Sequence, residues 1–387
     1  MYLAALLMMA LAPRSPPAQW RQSLATVAST LFTPLAASSV SAGSYSDTAA
    51  QLNITLEPFD NLLCLNFTVD ASHGPFRAIV DTGSPFFIVP RVCSAEWGCD
   101  PYRGEGYKEA ALSSLTTVES FGGQEYDVDW KVGDVKFSNS APAQSAKSKR
   151  VTFRNVVFGS VGQDALRRPG GIFCGLVKNQ ARGIKPTLLS QLDYRSFRLD
   201  VEGRTLSLSR APLLLAQSEE RQAIDMVDLR GLGAPVQHYA ARVRDLVVNG
   251  QRLECGSRTY AVLDSGTTGC VLSDDIFYNE FTPSPARSVV VTLETREGGL
   301  VTLSAGAERQ KQVTGEGKGR GRGTPFVVSP AFVPWSGFKR VGATKENPFQ
   351  GSDRAALPGP SLVVLGLPFL RGRVFSADPD AGIMLLE

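Results

Sequence analysis

The feature that most limits how this chain can fold is a repeated stretch. Ala78-Ile79-Val80-Asp81-Thr82-Gly83-Ser84 and Ala261-Val262-Leu263-Asp264-Ser265-Gly266-Thr267 agree position by position. Each has an alanine, two large aliphatic residues, an aspartate, a small hydroxyl residue, a glycine and a second hydroxyl residue. The aspartates stand 183 residues apart, about half of a 387-residue chain. A second echo follows each copy at a similar offset: Phe173-Cys174-Gly175-Leu176 in one half, Val364-Leu365-Gly366-Leu367 in the other. One matched pair arises by chance. Two pairs in the same order point to a chain built from two related halves.

Local physics agrees with that reading. Arg77 to Val80 and Tyr260 to Leu263 are rich in strand formers and run directly into Asp-Thr-Gly and Asp-Ser-Gly. Gly83 and Gly266 permit a tight turn just after each carboxylate. Phe86 to Val89 and Cys270 to Leu272 then resume an apolar strand, so each aspartate is expected at a turn held between buried strands. With 37 Gly and 24 Pro, turns must be frequent and long helices few, which favours an all-β fold. Val289 to Leu293 and Gly299 to Leu303 are expected to pair as a hairpin around Glu297-Gly298-Gly299. Leu188 to Leu192 and Asp274 to Phe281 are expected as short helices, and Gly306 to Gly323, Gly-rich and basic, as a surface loop.

The remaining sequence limits partners and location. A formal charge of +3 is small for this length and calls for no nucleic-acid partner. The longest uncharged apolar stretch near the start, Tyr2 to Ala12, is too short to span a bilayer, so no integral membrane segment is expected. Residues 1–46 hold no acidic side chain and two arginines, Arg14 and Arg21. They read as a targeting segment of one of two kinds: a signal peptide leading into the secretory pathway (secreted, vacuolar or lysosomal), which is favoured, or an organelle transit peptide. Residues 52–225 and 226–387 then form the two halves. Six cysteines fit a modest disulfide set in an oxidising compartment. Cys93 and Cys99 are near enough in sequence to close a small loop. Cys64, Cys174, Cys255 and Cys270 cannot be paired from sequence, and several fit equally well as buried thiols.

Two aspartates at equivalent turns suggest a definite chemistry. If the halves pack about an approximate twofold axis, Asp81 and Asp264 meet there. Carboxylates that close cannot both ionise easily and share one proton. The ionised member can take a proton from a bound water while the protonated member hydrogen-bonds a substrate carbonyl. Neither metal nor cofactor is needed. Other hydrolytic chemistries fit poorly, because the chain has only His73 and His238, without zinc-ligand spacing or a nucleophile motif beside them. Both histidines are expected at the surface.

The same motifs resemble the pepsin-like family of aspartic peptidases, over roughly Leu52 to Glu387. The resemblance implies a bilobal all-β fold with two related β-barrel-like lobes and a central cleft. It also implies a monomeric aspartic endopeptidase that cuts polypeptide substrates by water held between Asp81 and Asp264, with an acidic optimum. Thr82 and Ser265 would cross-link the two turns, and Ser84 and Thr267 would bond the outer oxygens of Asp81 and Asp264. Cys93 and Cys99 resemble the family's first disulfide, and Phe173-Cys174-Gly175 and Val364-Leu365-Gly366 its supports beneath the turns. The family's flap hairpin carries a Tyr-Gly pair at its tip. Here the matching candidate is Phe121-Gly122-Gly123, with Tyr126 as a rival. The tryptophan that commonly bonds that tyrosine is replaced by Ile88. These departures keep an alternative in view: an inert binding or inhibitor protein on the same fold.

Overall fold

The computed structural model describes residues 51–387 apart from 60–61, 71–72, 93, 95, 99–115, 122–123, 139–149, 163–164, 166–170, 179–186, 214–218, 220–221, 254, 256–257, 274–275, 277–287, 307–326 and 329–359. The targeting segment, the loop 306–323 beyond its first residue, most of the helix expected at 274–281, Gly122, and the Cys93–Cys99 pair therefore lie outside the described residues.

The chain is mostly β, as its turn-rich composition led us to expect, and two of its three sheets curl into half-barrels. One eight-stranded sheet belongs to the first half. Its path runs Ile88–Pro90, Arg150–Val161, Gln124–Ser138, Leu62–Val69, His73–Asp81, Phe173–Gly175, with Glu57–Phe59 and Thr116–Phe121 added at the sides. The other eight-stranded sheet uses Leu300–Gly306, Ser288–Glu294, Ala240–Val248, Thr259–Leu263, Ser361–Leu365, Cys270–Leu272 and Val327–Val328, with Gln251–Leu253 on the side. The expected hairpin across residues 294–300 is present, and Gly298 supplies its left-handed φ of 79°. Inward residues alternate with outward ones along both of its strands, the period of a sheet wetted on one face.

The third sheet joins the halves. It runs Gln51–Thr55, Thr205–Ser209, Ser196–Asp200, Val374–Asp378, Ile383–Leu386, Ile224–Asp225. Strands from before and after residue 225 pair antiparallel at its centre, with Phe197 opposite Ala377 and Leu199 opposite Phe375. Phe197, Tyr239 and Phe375 stack edge to face with centroids 5.1–5.8 Å apart, so side chains of both halves share one apolar core. Helices are short: Leu188–Gln191, capped by the Thr187 hydroxyl, and Leu367–Leu370. No described helix is long and apolar enough to cross a membrane.

The cysteines correct the sequence reading. Cys64, Cys174, Cys255 and Cys270 are all free, so none of the four belongs to a disulfide. Cys64, Cys174 and Cys270 are buried in apolar packing, and burial pushes the Cys64 thiol up to about 12 and raises the other two as well. They act as small hydrophobes. Cys255 is half-buried and shares a side-chain hydrogen bond with Thr259.

Leu199 has no exposed surface at the centre of the shared sheet. Leu199→Ala should lower the unfolding free energy by about 2–5 kcal/mol. Val118→Ala, at a side chain 62% exposed on the edge strand Thr116–Phe121, should stay within about 0.5 kcal/mol. Urea unfolding reads both, and equal losses would refute this account of the core.

Candidate active site

Each aspartate sits where a buried strand stops and a second strand runs parallel beside it. Strand His73–Asp81 lies against Phe173–Gly175, with Asp81 opposite Gly175. Strand Thr259–Leu263 lies against Ser361–Leu365, with Leu263 opposite Leu365, so Asp264 comes level with Gly366. The loop after each aspartate folds back on the glycine of its supporting strand. Gly175 N–H donates to Phe86 O at 2.7 Å and Leu176 N–H to Asp81 O at 2.8 Å; Gly366 N–H donates to Gly269 O at 2.9 Å and Leu367 N–H to Thr267 O at 2.8 Å. A β-carbon on Gly175 would strike the Ser84 carbonyl oxygen, and one on Gly366 the Thr267 carbonyl oxygen. Backbone contact that close explains the glycine in both motifs.

The two turns are tied to each other by four buried hydrogen bonds. Thr82 N–H donates to Ser265 Oγ at 3.1 Å, and Ser265 N–H donates to Thr82 Oγ1 at 2.9 Å. The hydroxyls then donate onward, Thr82 Oγ1 to Leu263 O at 2.9 Å and Ser265 Oγ to Val80 O at 2.7 Å. Each hydroxyl thus accepts one bond and gives one, and no buried polar group of the cross-link is left over.

This clamp brings the carboxyls together. A β-carbon on Gly83 would lie 2.5 Å from Asp264 Cγ, and one on Gly266 2.5 Å from Asp81 Cγ. Each glycine therefore makes room for the opposite carboxyl. Asp81 and Asp264 hydrogen-bond to each other through their side chains. Gly83 N–H donates to Asp81 Oδ1 at 2.8 Å and Gly266 N–H to Asp264 Oδ1 at 2.9 Å. Thr267 Oγ1 donates to Asp264 Oδ2 at 2.8 Å. Asp81 is buried, at 7% exposure, whereas Asp264 is half-buried. Burial first, then the neighbouring Asp264 charge and hydrogen bond, push the Asp81 carboxyl well above its ordinary value of 3.8. The arrangement can hold one proton between two carboxyls.

No protein-family model matches the chain, and no curated protein matches it. Solved structures do. The chain is similar to EDGP, with a TM-score of 0.53 and 11% identity over 88% of this chain and 95% of that one. It is also similar to basic 7S globulin from soybean, with a TM-score of 0.51 and 12% identity over 87% of this chain and 96% of that one. The chain has the bilobal pepsin-like fold.

Two expectations drawn from the sequence, for Ser84 and for His238, need revision. The Ser84 hydroxyl accepts the Phe86 N–H at 3.0 Å, and the Ser84 backbone N–H, not its hydroxyl, faces Asp81. Thr267 alone makes the expected hydroxyl bond, so the two turns are not equivalent in detail. Phe87 and Ile88, at 2% and 0% exposure, are core residues, as the apolar strand expected after the Asp81 turn requires, and Phe86 is partly buried against them. His238 is also buried, and loss of solvent lowers it to about 3, which keeps it neutral. The hairpin forms as expected, with Phe121 paired to Gln124 on either side of residues 122–123. Tyr126, buried, pairs with Glu119 in its ladder. Sequence reasoning overlooked Trp130, buried in the returning strand and bonded to Thr117 across the ladder. Its only sequence signal is an aromatic residue a few positions beyond the glycine pair. Among the described residues no group of His, Cys, Asp and Glu could hold a metal ion.

Two measurements test the clamp and the shared proton. Ser265→Ala leaves Thr82 N–H without its acceptor and Val80 O without its donor and should cost about 1–3 kcal/mol, largely recovered in Ser265→Thr; equal melting temperatures for wild type and the alanine variant would sink the clamp. Raised affinity for a proton at Asp81 means that the folded chain binds one where the unfolded chain has released it. Stability from this group is therefore lost as pH rises from about 4 through the folded value. The melting temperature of Asp81→Asn, relative to wild type, should climb over that window, and a flat difference would contradict the shift.

Proposed function

We propose that this protein is an aspartic endopeptidase. The observation that carries the reading is the clamped pair Asp81 and Asp264, two carboxyls in hydrogen-bond contact at the junction of two related halves. In the mechanism, a water lies between them. The ionised member takes its proton as the oxygen attacks the peptide carbonyl, and the protonated member donates to the carbonyl oxygen. A tetrahedral species forms, and the leaving nitrogen then receives a proton from the pair. Gly83 and Gly266 N–H hold the inner oxygens and Thr267 holds an outer one, so the carboxyls are oriented before substrate arrives. Extended polypeptides with apolar side chains beside the cut bond are the proposed substrates, in an acidic compartment of the secretory pathway.

A second reading is a binding protein on the same fold without turnover. It is favoured by the comparisons, since neither EDGP nor basic 7S globulin carries a peptidase's name, and a fold does not establish an activity.

Incubation with an unfolded protein should yield fragments between about pH 3 and 6, where one shared proton is expected, and pepstatin should block the reaction. Asp81→Asn and Asp264→Asn should each reduce kcat by about 10²–10⁴-fold or more. Undiminished cleavage in either variant would defeat the mechanism, and no cleavage by the wild type at any acidic pH would favour the binding protein.

A further inference from the structure

The hairpin Thr116–Phe121 and Gln124–Ser138 leaves its sheet part-way along. The ladder with strand Arg150–Val161 ends where Val128 meets Val161; beyond it, Val118–Phe121 and Gln124–Asp127 form a ladder with each other. The root of that hairpin, where it leaves the ladder, helps to set its angle.

Trp130 stands at that root. Ile88, Gly159 and Trp130 are in register across three adjacent strands and so share one face of the sheet. Gly159 carries no side chain; a β-carbon there would strike Val128 Cγ1 at 2.5 Å and would lie 3.6 Å from the Trp130 ring. Val128 and the edge of the indole therefore lie over Gly159, the indole at 7% exposure, one strand beyond the strand that pairs with the buried Ile88. The indole's polar end reaches the other way. Trp130 Nε1–H donates to Thr117 Oγ1 at 2.7 Å, and the Thr117 hydroxyl donates to Glu119 Oε1 at 2.6 Å. Both acceptors lie on the edge strand of the hairpin. On the opposite face, Thr116 Oγ1 bonds Asp129 Oδ1 at 2.7 Å and Asp129 pairs with Arg91.

We propose that Trp130 is the positioning residue of this hairpin: its indole, seated on Gly159 and bonded through Thr117 to Glu119, sets the arm relative to the Asp81 turn and so to bound substrate. The proposal rests on the peptidase reading for its consequence, not for its geometry. It also accounts for the isoleucine at position 88. Val128 and the Trp130 indole occupy that face above Gly159, and a large ring at 88 would crowd them.

The test compares Trp130→Phe and Thr117→Val, which break the relay, with Thr117→Ser, which keeps the hydroxyl. Amide hydrogen exchange at 118–121 and 124–127 should quicken about tenfold (equivalent to ~1.4 kcal/mol) in the first two and stay at wild-type rates in the third. Peptide kinetics should follow the same division, with kcat/KM reduced about tenfold, chiefly through KM, while the pH profile set by the aspartates is unchanged. Exchange and kcat/KM equal in Thr117→Val and Thr117→Ser would overturn the proposal. A wild-type protein without turnover would defeat the peptidase reading instead, and hydrogen exchange would then decide the role of Trp130 alone.

Discussion

Thr82 and Ser265 reach across an interval of 183 residues, and each satisfies the backbone of the other's turn. Four short bonds in a buried setting fix two loops that would otherwise be free to shift. Their worth is asymmetric: intact, they contribute modestly, but a missing hydroxyl leaves buried donors and acceptors with nowhere to turn. The separation of Asp81 and Asp264 follows from this clamp. So does the need for Gly83 and Gly266, since any side chain there would occupy the space of the opposite carboxyl.

The near-symmetry of the pair is broken in ways that matter for chemistry. Asp264 receives the Thr267 hydroxyl and remains half-buried; Asp81 is held by main-chain N–H groups and is nearly closed off. Burial beside another carboxyl favours the protonated form of Asp81. The two carboxyls thus meet different surroundings although their turns are alike. The shared six-stranded sheet provides the rigid floor, with Phe197, Tyr239 and Phe375 locking strands from both halves.

Much of this was legible in the residues. The duplicated motif gave the two aspartates, the turn glycines and the supporting Gly175 and Gly366, because tight turns and close backbone approach admit few residue types. The apolar runs at 289–293 and 299–303 around Glu297-Gly298-Gly299 gave a hairpin that the structure contains. Cysteines were harder to read. A thiol in a strand pattern looks the same whether it waits for a partner or fills a small gap, and burial decided that Cys64, Cys174 and Cys270 do the latter. His238 misled for a similar reason, since a lone histidine carries no mark of depth.

By itself the sequence determined which side chains stand at equivalent places in two halves, because local turn chemistry and strand periodicity are written in consecutive residues. Tertiary structure alone decided which hydroxyl bonds which carboxylate, why Ser84 turns to Phe86, and how Val128 and Trp130 come to lie over Gly159. Those choices depend on register between strands far apart in the chain, and a shift of one residue would send each side chain to the other face.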